Sequence, residues 1–94
     1  MTSKQRAYLR SLASELDTII QVGKNGITDN VETTIEEAIT VHELIKARVL
    51  ETSPISAREA AEALATATNS EVVQVIGTRF VLYRPAKEPK IQLP

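Results

Sequence analysis

The spacing of hydrophobic residues along this chain changes several times between a helical and a strand-like period. Apolar residues three or four positions apart predict helices, whereas short β-branched runs and strict alternation predict strands. Residues 18–22 form a β-branched run, and residues 44–50 alternate apolar side chains with the cations Lys46 and Arg48. The predicted helices cover residues 4–14, 29–43 and 57–68, and the predicted strands cover residues 18–22, 44–50, 72–76 and 79–84.

Residues that favour helix N-termini stand at the start of two of these segments. Ser56 and Glu59 form an S-x-x-E capping box ahead of the alanine-rich third helix. The second helix has Thr28 or Asp29 as its N-cap, and Glu32 stands where a capping box would place it relative to Asp29. These residues predict where both helices begin.

The predicted order of elements is α-β-α-β-α-β-β in a chain of 94 residues, which is enough for one hydrophobic core. This order favours an α/β (α+β) fold, a single compact domain with a small four-stranded mixed sheet and helices packed mainly on one side. We predict that the domain covers residues 1–84. Residues 85–94, which hold three of the four prolines, are expected to form an extended and loosely held C-terminal tail.

Composition excludes several kinds of site. The chain has no cysteine, so disulfides and thiolate metal sites are excluded and a cytoplasmic location is the default expectation. No apolar run approaches the roughly 18 residues of a membrane span, and the N-terminus lacks a signal-peptide core. The single histidine, His42, falls on the apolar stripe of the second helix, where we expect a packed or capping side chain and no metal ligand. We predict no enzyme activity, no cofactor and no small-molecule substrate.

Charge is segregated along the chain, although the formal net charge is only −1. Lys4, Arg6 and Arg10 precede the first acid, whereas residues 29–45 contain five acids and no lysine or arginine. A basic surface on one side is therefore compatible with the acidic total. The acidic second helix would then face away from a polyanionic ligand.

The segment Gly23-Lys24-Asn25-Gly26 lies between a predicted strand and a predicted helix start. Glycines let the backbone approach a ligand closely, and a helix N-terminus presents free N–H groups to an anion. Lys24 would add a point charge for a phosphate. Because the G-x-x-x-x-G-K-[ST] nucleotide motif is missing, we interpret this GxxG loop as a binding site for nucleic-acid phosphates, with RNA as the leading partner. The alternative is a tight connection in which the glycines only supply positive φ angles.

Other cations are candidates for the same ligand. Arg6 and Arg10 lie four residues apart on the first helix, and Lys46 and Arg48 project from one face of the second strand. RNA lying across the sheet is a second geometry, ranked below the loop and helix edge because one phenylalanine and two tyrosines make a poor stacking platform. The candidate RNA-binding residues are Gly23, Lys24, Asn25, Gly26, Lys4, Arg6, Arg10, Lys46, Arg48, Arg79 and Arg84.

Four segments together resemble one known family. They are Thr2-Ser3-Lys4-Gln5-Arg6, Gly23-Lys24-Asn25-Gly26-Ile27-Thr28, His42-Glu43-Leu44-Ile45-Lys46, and Val75-Ile76-Gly77 leading to Val81-Leu82-Tyr83-Arg84. In this order they resemble the CRM domain, the chloroplast RNA splicing and ribosome maturation domain, in its bacterial stand-alone YhbY form. The resemblance covers essentially the whole chain.

The resemblance implies an RNA-binding domain similar in fold to the C-terminal domain of translation initiation factor three, with a GxxG loop comparable to that of KH domains. It also implies a role in ribosome biogenesis, with rRNA of the large-subunit precursor as partner. In the family a basic residue usually follows the glycine of the terminal hairpin directly, whereas here Thr78 comes first and Arg79 second. A shift of one residue turns a strand side chain to the opposite face, so the register of Arg79 decides whether it takes that role.

A protein-interaction module is the alternative function. The acidic second helix or the open sheet face would then dock on a basic ribosomal protein. For Glu32, Glu36 and Glu37, a solvated helix surface is the simpler interpretation, because nothing cationic or nucleophilic is arranged with them in the sequence.

Overall fold

The computed structural model describes all 94 residues, and its seven elements follow the predicted order. The helices are α1 (Ser3–Ala13), α2 (Asp29–His42) and α3 (Ala57–Thr68), and the strands are β1 (Thr18–Val22), β2 (Leu44–Val49), β3 (Glu71–Ile76) and β4 (Arg79–Tyr83). Each predicted boundary lies within one residue of the observed one. None of the three helices combines the length and the apolar composition that would let it cross a membrane.

The four strands form one mixed sheet in the spatial order β1-β2-β4-β3, which confirms the predicted fold class. β1 pairs with β2 in parallel, whereas β4 is antiparallel to both β2 and β3. A parallel pair needs a long connection, which α2 provides here. The antiparallel pair β3–β4 needs only the turn at Gly77 and Thr78, where Gly77 has a φ of 58°.

Helices α2 and α3 cover one face of the sheet. Ile35 and Ile39 of α2 and Leu64 of α3 are fully buried in one cluster with Phe80 and Leu82 of β4. Burying each large aliphatic side chain stabilises the fold by about 1.5–3 kcal/mol, so this cluster is the main core. The small side chains of α3 let it lie close to the sheet, and those in the cluster are Ala57, Ala60, Ala61 and Ala65.

Helix α1 packs on the opposite face of the sheet. Leu9 and Ala13 form a second, smaller buried cluster with Val73, Val81 and Tyr83. The helices therefore lie mainly on one side, two against one. Because α1 spans only 11 residues, it covers part of its face and leaves the rest of that face open.

The tail over residues 85–94 has no regular secondary structure, but it is firmly attached. The side chain of Glu43 is buried, and its carboxylate accepts hydrogen bonds of 2.7–3.1 Å from the backbone N–H groups of Ala86, Lys90 and Ile91. Ile91 and Leu93 also pack against the second cluster. The expectation of a loosely held tail is wrong, because the sequence pattern gives no sign that Glu43 binds it.

The start of α3 is as predicted, and at the start of α2 the structure decides between the two predicted N-cap residues. Ser56 and Glu59 form the predicted reciprocal capping box of α3, with hydrogen bonds of 3.1 Å in both directions. At α2 the N-cap is Thr28, whose hydroxyl accepts a hydrogen bond of 3.2 Å from the N–H of Val31. Asp29 is therefore the first helical residue and forms no capping box.

Candidate nucleic-acid interface

The GxxG loop lies at the edge of the sheet where β1 and β2 both end. Parallel pairing places Val22 beside Val49, and the N–H of Leu50 donates to the carbonyl of Val22 at 2.8 Å. The hairpin turn meets the same edge, because the N–H of Val49 donates to the carbonyl of Thr78 at 2.8 Å. The loop, the end of β2 and the start of β4 are therefore neighbours.

Within the GxxG loop the two glycines have different roles. The N–H of Gly26 donates to the carbonyl of Gly23 at 3.0 Å, and Lys24 and Asn25 are exposed between them. Gly26 is buried with a φ of 64°, and an added Cβ would lie 3.3 Å from Cγ of Pro54. At Gly23 an added Cβ would make only an ordinary contact of 3.8 Å. The amide of Gly26 thus closes the turn, and the loop exposes Lys24 and Asn25 to solvent.

The helix start behind the loop is less favourable for an anion than the glycine pattern suggests. The hydroxyl of Thr28 already accepts a hydrogen bond from one of the free N–H groups of α2. Asp29 and Glu32 also place two carboxylates in the first turn. Carboxylates there interact favourably with the helix dipole but repel a phosphate. The positive charge of a phosphate-binding surface therefore comes from other elements.

A groove of about 320 Å³ lies between α1 and the open part of the sheet. Three cations from three elements line it, namely Arg10 of α1, Lys46 of β2 and Arg79 of β4. No acidic residue lines it, and none of these three cations forms an ion pair. We call it the cationic groove. Its other lining residues are Ser14, Gln74, Ile76, Phe80 and Val81.

Arg48 continues this positive surface toward the GxxG loop. It follows Lys46 by two residues on β2 and so lies on the same face of the sheet. It stands directly opposite Arg79 in the β2–β4 pairing, and its Nε is buried without a hydrogen-bond partner. Like charges on cross-strand neighbours repel, so an anion placed between the two guanidinium groups would be favourable to both.

Arg79 belongs to this face although Thr78 separates it from the hairpin glycine. Along β4, Phe80 lies in the core beneath α2 and α3, whereas Val81 lies in the cluster beneath α1. Arg79 shares the orientation of Val81, is exposed and lines the cationic groove. The register therefore brings it to the same side of the sheet as Lys46.

Arg6 was predicted to bind RNA, but it contacts β3 and does not line the cationic groove. Its Nη1 donates to the backbone carbonyls of Val72 at 2.6 Å and Val73 at 3.0 Å. These carbonyls lie where the register between β3 and β4 shifts, so Arg6 supplies hydrogen bonds at an interrupted part of the ladder. Lys4 is exposed near the start of α1 and is not brought together with Arg10 in the groove.

Arg84 was also predicted to bind RNA, and it is held by a network within the protein. Its two terminal nitrogens donate to both carboxylate oxygens of Glu36 at 3.0 and 2.7 Å. They also reach the carbonyl of Thr68 and the hydroxyl of Thr40, at 2.8 and 2.7 Å. The hydrogen bonds between Arg84 and Glu36 lower the pKa of Glu36 and raise the pKa of Arg84. Glu36 lies on an exposed helix surface, as predicted, but it also has a cationic partner that the sequence did not suggest, because Arg84 comes from a distant part of the chain.

Glu43 is a residue whose importance the sequence does not reveal. Its backbone φ is 64°, which is uncommon for a residue other than glycine, and its carbonyl accepts a hydrogen bond of 2.9 Å from the N–H of Arg84. Burial would raise the pKa of Glu43, but the three tail N–H groups and the charge of Lys90 leave the pKa below its ordinary value. The ionised carboxylate thus holds the tail beside the sheet.

The structure brings no group of three His, Cys, Asp or Glu side chains together as a metal site would require. His42, for which a packed or a capping side chain was expected, is not packed in the core but exposed in the last turn of α2, where a basic residue suits the helix C-terminus. The candidate interface instead offers positive charge and hydrogen-bond donors. Such groups suit the phosphates of a polyanion.

Comparisons with known proteins give both a family and close relatives. The family model described as CRS1 / YhbY (CRM) domain matches residues 1–84. The chain is 45% identical over 95 residues to Probable RNA-binding protein YqeI of Bacillus subtilis, covering 100% of this chain and 99% of that protein. It is 39% identical over 94 residues to a Haemophilus influenzae protein named RNA-binding protein, and the match covers 100% of this chain and 95% of that protein. The solution structure of protein SAV1595 from Staphylococcus aureus is similar with a TM-score of 0.83 and 46% identity, covering 100% of this chain and 99% of that one.

Proposed function

Because this chain belongs to the CRS1/YhbY (CRM) domain family, we propose that it binds RNA through the cationic groove and the adjoining GxxG loop. One observation carries this proposal. Arg10, Lys46 and Arg79 line one groove that contains no carboxylate, and Arg48 lies on the same side of the sheet. The names of the two bacterial relatives, which describe RNA binding, support the same ligand class.

The residue types of the groove suit RNA phosphates. Arginine offers a planar fork of donors to a phosphate, and lysine offers a compact point charge. Lys46 and Arg48 are two residues apart on one strand, which separates their Cα atoms by roughly 6.5 Å. Side chains at such intervals can contact successive phosphates of one strand. Because phosphate contacts carry little sequence information, RNA shape and backbone would dominate recognition.

The acidic residues of the chain do not oppose this mode of binding. Glu32, Glu36 and Glu37 belong to α2, which packs on the face of the sheet opposite to α1. An RNA strand in the cationic groove would be separated from these carboxylates by the thickness of the sheet. The local sign of charge therefore matters more for binding than the net charge of −1.

The test is a pair of double variants with matched charge changes. Lys46→Glu/Arg79→Glu reverses two cations of the groove, and Arg58→Glu/Lys87→Glu reverses two exposed cations outside it. We expect the groove variant to bind large-subunit rRNA fragments about tenfold or more weakly, because it loses two charge-assisted contacts. The control should bind within about twofold of the wild type. Fluorescence anisotropy would measure both dissociation constants, and circular dichroism would confirm that the variants are folded.

Equal binding by the wild type and a folded groove variant would overturn the assignment of the cationic groove. A Lys24→Glu variant measured in the same assay separates the contribution of the GxxG loop. If Lys24→Glu alone abolished binding while the groove variant did not, the loop would be the site.

We further propose that the natural RNA is rRNA of the large-subunit precursor and that the protein acts in ribosome biogenesis. This part rests on the family resemblance and is tested separately. Crosslinking in cells, followed by mapping of the joined nucleotides, should place the protein on precursor rRNA. Crosslinks confined to messenger RNA or transfer RNA would contradict the ribosomal role and leave RNA binding intact.

A protein-binding role has one observation in its favour. An acidic groove of about 250 Å³ lies between α2 and α3, lined by Glu32, Thr33, Glu36, Glu37, Ala67 and Thr68. A basic ribosomal protein would fit such a surface by charge. Association with ribosomal proteins that survives complete digestion of RNA would support this second candidate, whereas association lost on digestion supports RNA binding.

A further inference from the structure

A second groove, of about 420 Å³, lies on the other flank of α1. Leu12 of α1 and Leu16, which follows the helix, form one wall, and Ile19 of β1 and Ile91 of the tail contribute further apolar surface. Polar groups are few and lie among these walls, namely Asp17, His42 and Lys46. We call this the apolar groove, and its remaining lining residues are Leu44 and Ile45.

The apolar groove and the cationic groove meet at Lys46, which lines both. They flank the C-terminal part of α1, with Arg10 and Ser14 on one side and Leu12 and Leu16 on the other. A phosphate held by Lys46 would therefore have apolar surface directly beside it. This combination matches a nucleotide, which joins a charged phosphate to a flat and largely apolar base.

The wall formed by Ile19 follows from its position in β1. Ile20 lies in the core beneath α2 and α3, and strand alternation turns the neighbouring Ile19 to the opposite face of the sheet. There Ile19 lines the apolar groove and is 50% exposed. The core does not use this isoleucine.

We propose that the apolar groove takes one unstacked base of the RNA strand whose phosphates lie in the cationic groove. This inference rests on the proposed function and deepens it. Proteins that recognise single-stranded RNA commonly bind bases that are splayed out of the stack and contact their edges with polar groups. Here aliphatic side chains would cover the faces of the base, and Asp17 and His42 would meet its edge. The continuity of the two grooves at Lys46 favours a base over a side chain of a protein partner.

The experiment compares two ligands and two variants. The ligands are a nine-nucleotide single-stranded RNA of mixed sequence and an abasic sugar-phosphate oligomer of the same length, which keeps the charge and removes the bases. Ile19→Ser removes apolar surface from the groove, and Val41→Ser makes the matched change at a 59% exposed aliphatic residue that lines neither groove. Dissociation constants are measured for all combinations.

We expect the wild type to bind the RNA more tightly than the abasic oligomer. Ile19→Ser should weaken RNA binding about fivefold or more and leave abasic binding unchanged, because the variant loses apolar surface that a base would cover. Val41→Ser should change neither. In NMR titrations of the wild type, the methyl resonances of Leu12, Leu16 and Ile19 should shift with the RNA and stay in place with the abasic oligomer.

Equal affinity of the wild type for both ligands, with unmoved methyl resonances, would overturn the base site while leaving phosphate binding in place. An equal loss on both ligands for Ile19→Ser would also overturn it, since the change would then act on the fold or on the phosphate site. If the wild type bound neither ligand, the base site would be refuted, and binding to the large-subunit rRNA fragments would decide separately whether the proposed function holds. Saturable binding of an apolar peptide that RNA cannot displace would assign the groove to a protein partner.

Discussion

Gly23 and Gly26 are identical in the sequence but differ in what the fold requires of them. Gly26 has a φ of 64° and lies against Pro54, whereas Gly23 has neither a positive φ nor a close neighbour. We expect Gly26→Ala to destabilise the fold by about 1–2 kcal/mol, the cost of the left-handed conformation for an L-residue. Gly23→Ala should change stability by less than about 0.5 kcal/mol.

Urea denaturation of the two glycine variants measures this difference. Gly23→Ala is the matched control, because it makes the same chemical change three residues away. Equal destabilisation by both would show that Gly26 does not require its left-handed conformation. Measuring how tightly the two variants bind RNA would then show whether each glycine serves only the fold or also lets the backbone approach a ligand closely.

Single residues were predicted well where one strand alone decides their orientation. Alternation along β2 places Lys46 and Arg48 on one face, and both are found there. The same reasoning could not separate Arg10, which lines the groove, from Arg6, which contacts β3. The partners of Arg6 lie more than 60 residues away in the chain, so local periodicity contains no information about them.

At the scale of elements, the junction between α2 and β2 depends on one buried carboxylate. Glu43 ends α2 with a positive φ of 64°, and its side chain accepts three hydrogen bonds from the tail. Because its pKa is lowered in the folded protein, the folded state binds its proton less readily than the unfolded state. The contribution of Glu43 to stability is therefore present above the ordinary glutamate pKa of about 4.3 and is lost as the pH falls through the lower folded value.

We expect Glu43→Gln to lower the free energy of unfolding at pH 7 by roughly 1–3 kcal/mol, because one charged acceptor oxygen becomes an amide donor facing buried N–H groups. The dependence of stability on pH in the acid range should become shallower, because this carboxyl no longer titrates. Urea melts between pH 7 and pH 3 would measure both effects. Glu37→Gln, which alters an exposed carboxylate of α2, is the control and should leave stability at pH 7 nearly unchanged.

The order and type of the elements could be predicted because each has a clear period or capping residues. The attachment of the tail could not be predicted, since it depends on Glu43 meeting backbone groups more than 40 residues later. The side of the sheet on which α1 packs could not be predicted from the sequence either. Its apolar stripe shows that it packs, but the choice of face depends on connections between elements that no local pattern specifies.

At the scale of the whole molecule, charge of opposite sign lies on opposite faces of the sheet. The cationic groove lies beside α1, and the carboxylates of α2 lie beyond the sheet. If all four cations of the open face contact phosphates of a single strand, the log–log slope of affinity against salt should be about −3, from about −0.7 per phosphate. Lys46→Glu should make the slope shallower by at least about 0.7.

Titrations at several potassium chloride concentrations would measure these slopes. Arg58→Glu, on the outer side of α3, is the control and should bind RNA with the wild-type slope. A slope near zero for the wild type would show that phosphate contacts do not drive the association. An unchanged slope for Lys46→Glu would remove this lysine from the set of phosphate contacts.

The cross-strand pairing of Arg48 with Arg79 has a consequence for how this domain tolerates change. Without a polyanion, repulsion between these like charges would make the protein less stable than a neutral pair at the same positions. If both arginines bind RNA as proposed, stability and ligand affinity are opposed at this pair, as is common where stability and activity compete. A lineage selected only to withstand high temperature would then gain stability by replacing one of the two arginines and would bind RNA more weakly.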